Sequence, residues 1–388
     1  MDKVRIGIIG VGNIGSAHAE SIAQERIPEL TLGALCDNDS KRAAELKDRY
    51  PRIPIFTDAE AMMDSGLVDA VVISTPHYEH PTLAILAFGK GLHVLTEKPA
   101  GVYCAKVREM VAAAKDSGKV FAIMFNQRTN GLFRKARELV QDGALGELKR
   151  SVWIVTNWYR KQAYYDSGSW RATWSGEGGG VLMNQAPHNL DLWQWICGMP
   201  VEVRAQCDLG KYHDIEVEDD ATIFVRYKNG ATGVFITTTG EYPGTNRLEI
   251  SGTKGKIVLE GGGLVWTRLD RDEESFRRTS EREKNSRTVE TFTDEPHNGH
   301  EQILGNFGRA ILYGEPLIAR GEEGLAELTL CNAAYLSSWQ DRPVTLPMDD
   351  DLFYAELQGK IRQGRHSHKI DGTHTEIGSY HARWNTTW

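Results

Sequence analysis

Three residue groups in this chain have the types and spacing to do redox chemistry. The first is Gly10-x-Gly12-x-x-Gly15, set between a β-branched run at Val4 to Ile9 and a helical pattern at Asn13 to Ala23. Glycines there permit a tight turn and let backbone N–H groups of Asn13 and Ile14 approach a pyrophosphate at the helix N-terminus. The second is Asp37, at the end of a run from Leu30 to Cys36, about twenty residues beyond the last glycine. A carboxylate in that position accepts hydrogen bonds from both ribose hydroxyls and repels a 2′-phosphate, which favours NAD over NADP. The opposing reading is that Asp37 or Ser40 caps the helix carrying Lys41 and Arg42, whose cations would tolerate a phosphate. The third group is Lys98, within Glu97-Lys98-Pro99. Oxidising a secondary alcohol by hydride transfer requires a base for the hydroxyl proton and a positive charge beside the developing alkoxide. Histidine titrates near neutrality and suits the first task, and lysine suits the second. The competing reading of Lys98 is a surface lysine after a strand.

The elements that position these groups change character along the chain. Strand patterns at Val4 to Ile9, Leu30 to Cys36, Ile53 to Phe56, Ala70 to Ser74, His93 to Thr96 and Val120 to Phe125 alternate with helical ones. The helices fall at Asn13 to Ala23, Pro81 to Gly89 and Ala105 to Lys115, the last stopped by Ser117-Gly118. This alternation predicts an α/β fold with a doubly wound parallel sheet over residues 1–125. Strands then follow one another at Glu147 to Asn157, Val201 to Asp208, Ala221 to Tyr227, Thr232 to Thr239, Asn246 to Ser251 and Lys256 to Glu260. They predict a second α/β domain over 126–388 with a large, mainly antiparallel sheet. Helices at Leu132 to Gln141, Val181 to Trp195, Glu301 to Leu312 and Gly321 to Ser338 would cover one face, leaving the other for an oligomer. Arg268 to Asp294 is dense in charge and reads as a solvated excursion. The segment from Gln363 is rich in His, Gly and Thr but carries Tyr380, Trp384 and Trp388, so docking on the protein and a mobile tail are both open readings.

With 388 residues, two cores are the expectation. A net charge of −8 gives no electrostatic footprint for nucleic acid. Five cysteines without Cys-x-x-Cys spacing point to neither a disulfide framework nor a structural zinc, and no metal is expected. His297 and His300, three apart with no carboxylate pattern, are poor metal ligands. The absence of a leader pattern and of a run of about eighteen apolar residues predicts a cytoplasmic protein without a membrane span.

The chain resembles the Gfo/Idh/MocA family, named for glucose-fructose oxidoreductase and inositol dehydrogenase. The motifs carrying the resemblance run in order through Thr75-Pro76, His80, Gly91-Leu92-His93-Val94-Leu95-Thr96-Glu97-Lys98-Pro99 and Asn126-Gln127-Arg128. They continue through Gly143-Ala144-Leu145-Gly146-Glu147 and Gly178-Gly179-Gly180 to His188 and Asp191. The resemblance implies a Rossmann domain followed by an open-sheet α/β domain, a substrate facing the nicotinamide, and a homodimer or homotetramer. It also implies that Lys98 touches cofactor and substrate and that His188 exchanges a proton, the competing reading of His188 being a hydrogen-bonded histidine in a half-buried helix. Ser74, Thr75, His80, Glu97 and Gln127 are the further cofactor positions it suggests, with Arg128 on the substrate side.

One position departs from the family pattern. An aspartate commonly stands four residues before the histidine, and here it is Asn184. One helical turn places Asn184 and His188 on one face, although Pro187 removes a backbone donor and can kink the helix. An amide cannot accept a proton but can orient a substrate hydroxyl. Asp191 either supplies the missing charge or sits elsewhere on the helix. An aromatic loop of Trp158, Tyr159, Arg160, Tyr164, Tyr165, Trp170, Arg171 and Trp174 either stacks on a sugar or anchors itself, with Tyr159, Trp170 and Arg171 as the substrate candidates. The expected function is NAD-dependent oxidation of a sugar, glycoside or cyclitol. The rival readings are a redox-neutral glycosidase that oxidises, eliminates, adds water and returns the hydride, and a non-catalytic NAD-sensing binding protein motivated by Asn184.

Overall fold

The computed structural model describes residues 2–280, 282–294 and 298–364. His297 and all of the segment beyond 364, with its three aromatics, lie outside the described residues, so the readings made for them are not addressed. The first half alternates as β1 (Val4–Ile9), α1 (Asn13–Ala23), β2 (Leu30–Cys36), α2 (Ser40–Arg49), β3 (Ile55–Phe56), α3 (Ala59–Asp64), β4 (Ala70–Ile73), α4 (Glu79–Gly89), β5 (His93–Thr96), α5 (Cys104–Ser117) and β6 (Phe121–Ile123). These strands form a six-stranded parallel sheet in the order β3-β2-β1-β4-β5-β6. Helices on both faces bury almost every strand side chain, which is why β1 and β4 read as continuous apolar runs. The order reverses between β1 and β4, so a crevice opens at the carboxyl ends of these strands.

A short 3₁₀ turn at Asn126–Thr129 leads into α6 (Gly131–Gln141), whose first N–H groups are capped by Asn130. Next come β7 (Leu148–Val155), α7 (Gln162–Tyr165), α8 (Val181–Asn184), α9 (Pro187–Cys197), β8 (Glu202–Leu209), β9 (Glu218–Arg226), β10 (Thr232–Thr238), β11 (Asn246–Gly252), β12 (Gly255–Glu260) and β13 (Gly263–Leu269). The remaining elements are α10 (Glu273–Phe276), β14 (Arg287–Thr293), α11 (Gly299–Tyr313), α12 (Gly324–Gln340), β15 (Val344–Thr345) and α13 (Asp350–Gln363). The strands build a nine-stranded sheet in the order β14-β13-β12-β11-β7-β10-β9-β8-β15, antiparallel except where β7 pairs with β10. Trp153, Phe235 and Trp193 fill the covered face, with the Trp193 and Phe235 rings stacked at 5.6 Å. On the opposite face Thr222, Phe224 and Arg226 point to solvent.

Two expectations require correction. The charged stretch from Arg268 to Asp294 is not merely an excursion, because Arg287–Thr293 forms β14 and pairs antiparallel with β13. Its side chains are nearly all exposed, as the charge implied, but an edge strand needs only backbone partners and no buried alternation. The helix expected over Val181 to Trp195 is two helices, broken at Gln185-Ala186. Pro187 has no N–H to continue the first, and it suits the first turn of the second, where N–H groups are unpaired anyway.

Helix α12 joins both sheets. Asn332 accepts from Cys104 N at 3.1 Å and donates to Val102 O at 3.0 Å on the side of the parallel sheet. On the other side Ser337 and Ser338 accept from the N–H groups of Ala205 and Cys207, each at 3.0 Å.

Candidate active site

A cleft of about 1890 Å³ lies over the carboxyl ends of the parallel strands and is closed on its far side by the nine-stranded sheet. Gly10, Gly12, Asn13, Ile14, Asp37, Ser74, Thr75, His80, Glu97, Lys98 and Gln127 line it, all between the carboxyl end of a strand and the first turn of the element that follows. The glycine turn has the shape a pyrophosphate requires. Gly10 has φ of +82°, and a Cβ there would lie 2.9 Å from the Ser74 backbone, so only glycine fits. A Cβ on Gly12 would instead point into open space, at the end of the crevice where a phosphate approaches. Gly15 does not line the cleft. It lets α1 pack on the turn, since a Cβ would stand 2.0 Å from Gly10 O.

Asp37 holds Val11 N–H at 2.9 Å and Asp39 N–H at 3.1 Å, which orients its carboxylate at the mouth of the crevice. The cap of α2 is Asp39, and neither Asp37 nor Ser40 performs that task. Arg42 donates to Val11 O at 2.9 Å and pairs with Glu45 at 3.0 Å. The hydroxyl oxygens of Ser74 and Thr75 and Oδ1 of Asn13 are buried without a hydrogen-bond partner among the described residues, and all three side chains face the cleft. Unpaired buried polar atoms are costly in a folded chain, so their clustering along the crevice fits a bound dinucleotide.

His80 and Glu97 brace the turn that carries Lys98. The His80 ring shares hydrogen bonds with Pro99 O and Thr75 O, both at 2.8 Å. Glu97 bonds His18 at 2.7 Å and accepts from Lys98 N at 3.2 Å. Burial alone would push the Glu97 carboxyl up, but His18, His300 and Lys98 hold it below its usual range. Lys98 then reaches across the cleft, and its Nζ donates to the main-chain oxygen of Asn184 at 2.8 Å. Burial lowers the Lys98 pKa, opposed by the carboxylates of Glu97, Glu327 and Glu177.

His188 opens α9 and lines the same cleft as Lys98, Asn184, Trp170 and Arg171. Burial lowers its pKa well below the usual histidine value, and the charges of Lys98 and His300 lower it further, so the imidazole is neutral near pH 7. His300, at the start of α11, faces the cleft beside Asn126. Among the described residues no group of three His, Cys, Asp or Glu could hold a metal ion.

Three expected positions lie elsewhere. Arg128 is 1% exposed, forks onto Asp191 at 2.6 and 2.8 Å and meets Glu323 at 2.6 Å, so it faces the interior and not a substrate. Asp191 is thereby committed to Arg128 and supplies no charge to His188. Tyr159 is 42% exposed and packs on Tyr242, outside the cleft. The aromatic loop divides: Trp158, Arg160, Tyr164, Trp170 and Arg171 reach the cleft, whereas Tyr165 and Trp174 are buried as anchors. Sequence reasoning missed Glu177, a buried carboxylate behind Asn184 and Arg171. A lone acid before three glycines has no periodicity to reveal it.

Residues 4–125 match the oxidoreductase family with an NAD-binding Rossmann fold, and residues 133–258 match the GFO/IDH/MocA C-terminal domain. The chain is 28% identical over 351 residues to myo-inositol 2-dehydrogenase of Thermotoga maritima, covering 88% of this chain and 98% of that one. It is 25% identical to levoglucosan dehydrogenase of Pseudarthrobacter phenanthrenivorans, over 88% of this chain and 99% of that one. The WlbA dehydrogenase of Bordetella pertussis, solved with NADH and UDP-GlcNAcA, superposes with a TM-score of 0.76 at 28% identity, covering 89% of this chain and 100% of that one. No helix among the described residues is long and apolar enough to cross a membrane. With the glycine turn, the Asp37 carboxylate and the lysine-bearing strand end on one cleft, the chain belongs to the Gfo/Idh/MocA oxidoreductase family and takes NAD as its cofactor.

Proposed function

We propose that the protein oxidises a secondary alcohol of a sugar, glycoside or cyclitol, with residues 1–125 holding NAD and residues 126–388 holding the substrate and the oligomer contacts of a cytoplasmic dimer or tetramer. The observation that carries this reading is the convergence of Lys98 and His188 on one cleft whose other end is the glycine turn. The inositol and levoglucosan dehydrogenases among its relatives support a polyhydroxylated substrate.

NAD supplies the hydride acceptor. The protein's own groups do the rest. His188, neutral and facing the cleft, accepts the hydroxyl proton as the alcohol becomes a carbonyl. Lys98, fixed by the Asn184 carbonyl, places positive charge beside the oxygen as negative charge develops on it. Trp158 and Trp170 offer apolar faces to sugar C–H groups, and Arg171 and Asn184 offer hydrogen-bonding groups to hydroxyls. Asn184 in place of a carboxylate favours keeping a redox-neutral glycosidase as the second reading.

Incubation with myo-inositol, free sugars and nitrophenyl glycosides, each with excess NAD, separates the two. Stoichiometric NADH from a free polyol or sugar is the expected result. Nitrophenol release without NADH accumulation would establish the glycosidase instead.

A further inference from the structure

Asn184 and Glu177 form a buried pair behind the cleft. Asn184 closes α8 and lines the cleft, and its Nδ2 donates to Oε1 of Glu177. Glu177 is 1% exposed, and its Oε2 accepts from Ala172 N at 2.6 Å. Arg171 Nη1 lies 3.9 Å from Oε1, and the Glu177 carbonyl bonds the His77 ring at 2.9 Å. Glu177 itself does not line the cleft.

The chemistry of the pair is asymmetric. A carboxylate can only accept, so Asn184 must turn its NH₂ toward Glu177. Tyr164 OH, 3.3 Å from the same nitrogen, can donate as well as accept and already receives the Arg171 and Gln185 donors at 2.9 and 3.1 Å, so the carboxylate of Glu177 alone sets the direction of the amide. The main-chain oxygen of Asn184 is taken by Lys98. The amide oxygen is therefore the atom Asn184 can offer to a ligand.

We propose that Glu177 is the positioning residue of this site: it fixes the Asn184 carboxamide with Oδ1 toward the cleft, as the acceptor for a substrate hydroxyl. Burial raises the Glu177 pKa, and the Arg171 and Lys98 cations, with the Ala172 N–H and the Asn184 amide, pull it back toward the charged form. The site thus retains one carboxylate, moved one side chain deeper, where it orients without exchanging a proton with substrate. This rests on the dehydrogenase reading for its substrate and on the structure alone for the amide orientation.

Two measurements test it, with folding of each variant checked by Tm and NADH affinity. In ¹⁵N-labelled protein, the Asn184 side-chain NH₂ signals, assigned by their loss in Asn184→Asp, should be shifted downfield and exchange slowly. Glu177→Gln should return them toward free-amide values. Unchanged signals in Glu177→Gln would overturn the proposal, whether or not a substrate is found. With the polyol that the wild type turns over, Glu177→Gln should lower kcat and raise KM, reducing kcat/KM by at least about tenfold. Asn184→Asp places two carboxylates in contact and should be similarly impaired. The double variant Glu177→Gln with Asn184→Asp restores one acid and one amide, and should exceed both single variants at least about fivefold in kcat/KM. A double variant no better than the singles means a merely structural Glu177 and overturns the proposal. Absence of wild-type turnover on every polyol overturns the dehydrogenase reading and leaves the amide signals to decide this one.

Discussion

Lys98 Nζ donates to the main-chain oxygen of Asn184 at 2.8 Å, so the ammonium that ends a Rossmann strand is held by the last residue of a helix in the other half of the chain. The break between α8 and α9 makes this bond possible. An uninterrupted helix would offer that oxygen to the N–H of His188, four residues on.

Replacing Lys98 with Met removes this cation while keeping much of the side-chain length. Loss of one preorganised charge at a developing oxyanion costs about 10²- to 10³-fold in kcat. NADH affinity, followed by protein fluorescence, should stay within about tenfold of wild type. A variant retaining more than a third or so of wild-type kcat would remove Lys98 from the chemistry.

Asp37→Ser should weaken NAD and admit NADP. The carboxylate is oriented by Val11 N–H and Asp39 N–H, and hydrogen bonds from ribose hydroxyls to a charged acceptor are worth about 1.5–3 kcal/mol each. Isothermal titration of both cofactors should show NAD weakened by at least about tenfold and the preference over NADP reduced. An unaltered ratio would mean that Asp37 does not read the ribose.

Arg128 and Asp191 make a prediction about stability. Burial would lower the Arg128 pKa, but Asp191 and Glu323 outweigh it and raise it, while burial raises that of Asp191 against the pull of Arg128. Arg128→Met leaves Asp191 buried without its cation and should destabilise the protein by about 3–5 kcal/mol in denaturant unfolding. NADH affinity should be unchanged. Loss below about 1 kcal/mol would show that the pair is dispensable to folding.

Glu218 gives a pH dependence with a definite sign. Burial raises its pKa from 4.5 to about 7, although Leu182 N–H, Tyr335 OH and Gly180 N–H all pull it down. A group with a raised folded pKa holds its proton longer in the native state. Its share of stability is therefore present below the unfolded value of 4.5 and is lost as pH rises toward about 7. Glu218→Gln has no such loss, so the stability gap between wild type and variant should narrow on going from about pH 5 to about pH 8, by at most about 1.4 kcal/mol per unit traversed. A gap independent of pH would show that Glu218 stays charged throughout.

Much of this was legible in the sequence for a physical reason. Parallel strands buried on both faces must be apolar throughout, and the turn at Gly10 must be glycine, so β1, β4 and the cofactor end are written in residue type alone. Lys98 stood out by its motif and His188 by the family resemblance, and the structure brings both to the cleft. Arg128, Asp191 and Glu177 did not, since which charge faces a ligand and which faces another charge is decided by packing between segments far apart in sequence. The edge strand Arg287–Thr293 was hidden because backbone pairing alone holds it, and backbone has no sequence.

The bonds of α12 to Val102 and Cys104 at one side and to Ala205 and Cys207 at the other have a kinematic consequence. A swing of one sheet away from the other would tear this helix from one of its anchors. The two jaws of the cleft are thus pinned to one helix by four hydrogen bonds. The segment from Trp158 to Gly176 lines the cleft without belonging to either sheet, and its buried Tyr165 and Trp174 tie it down as well.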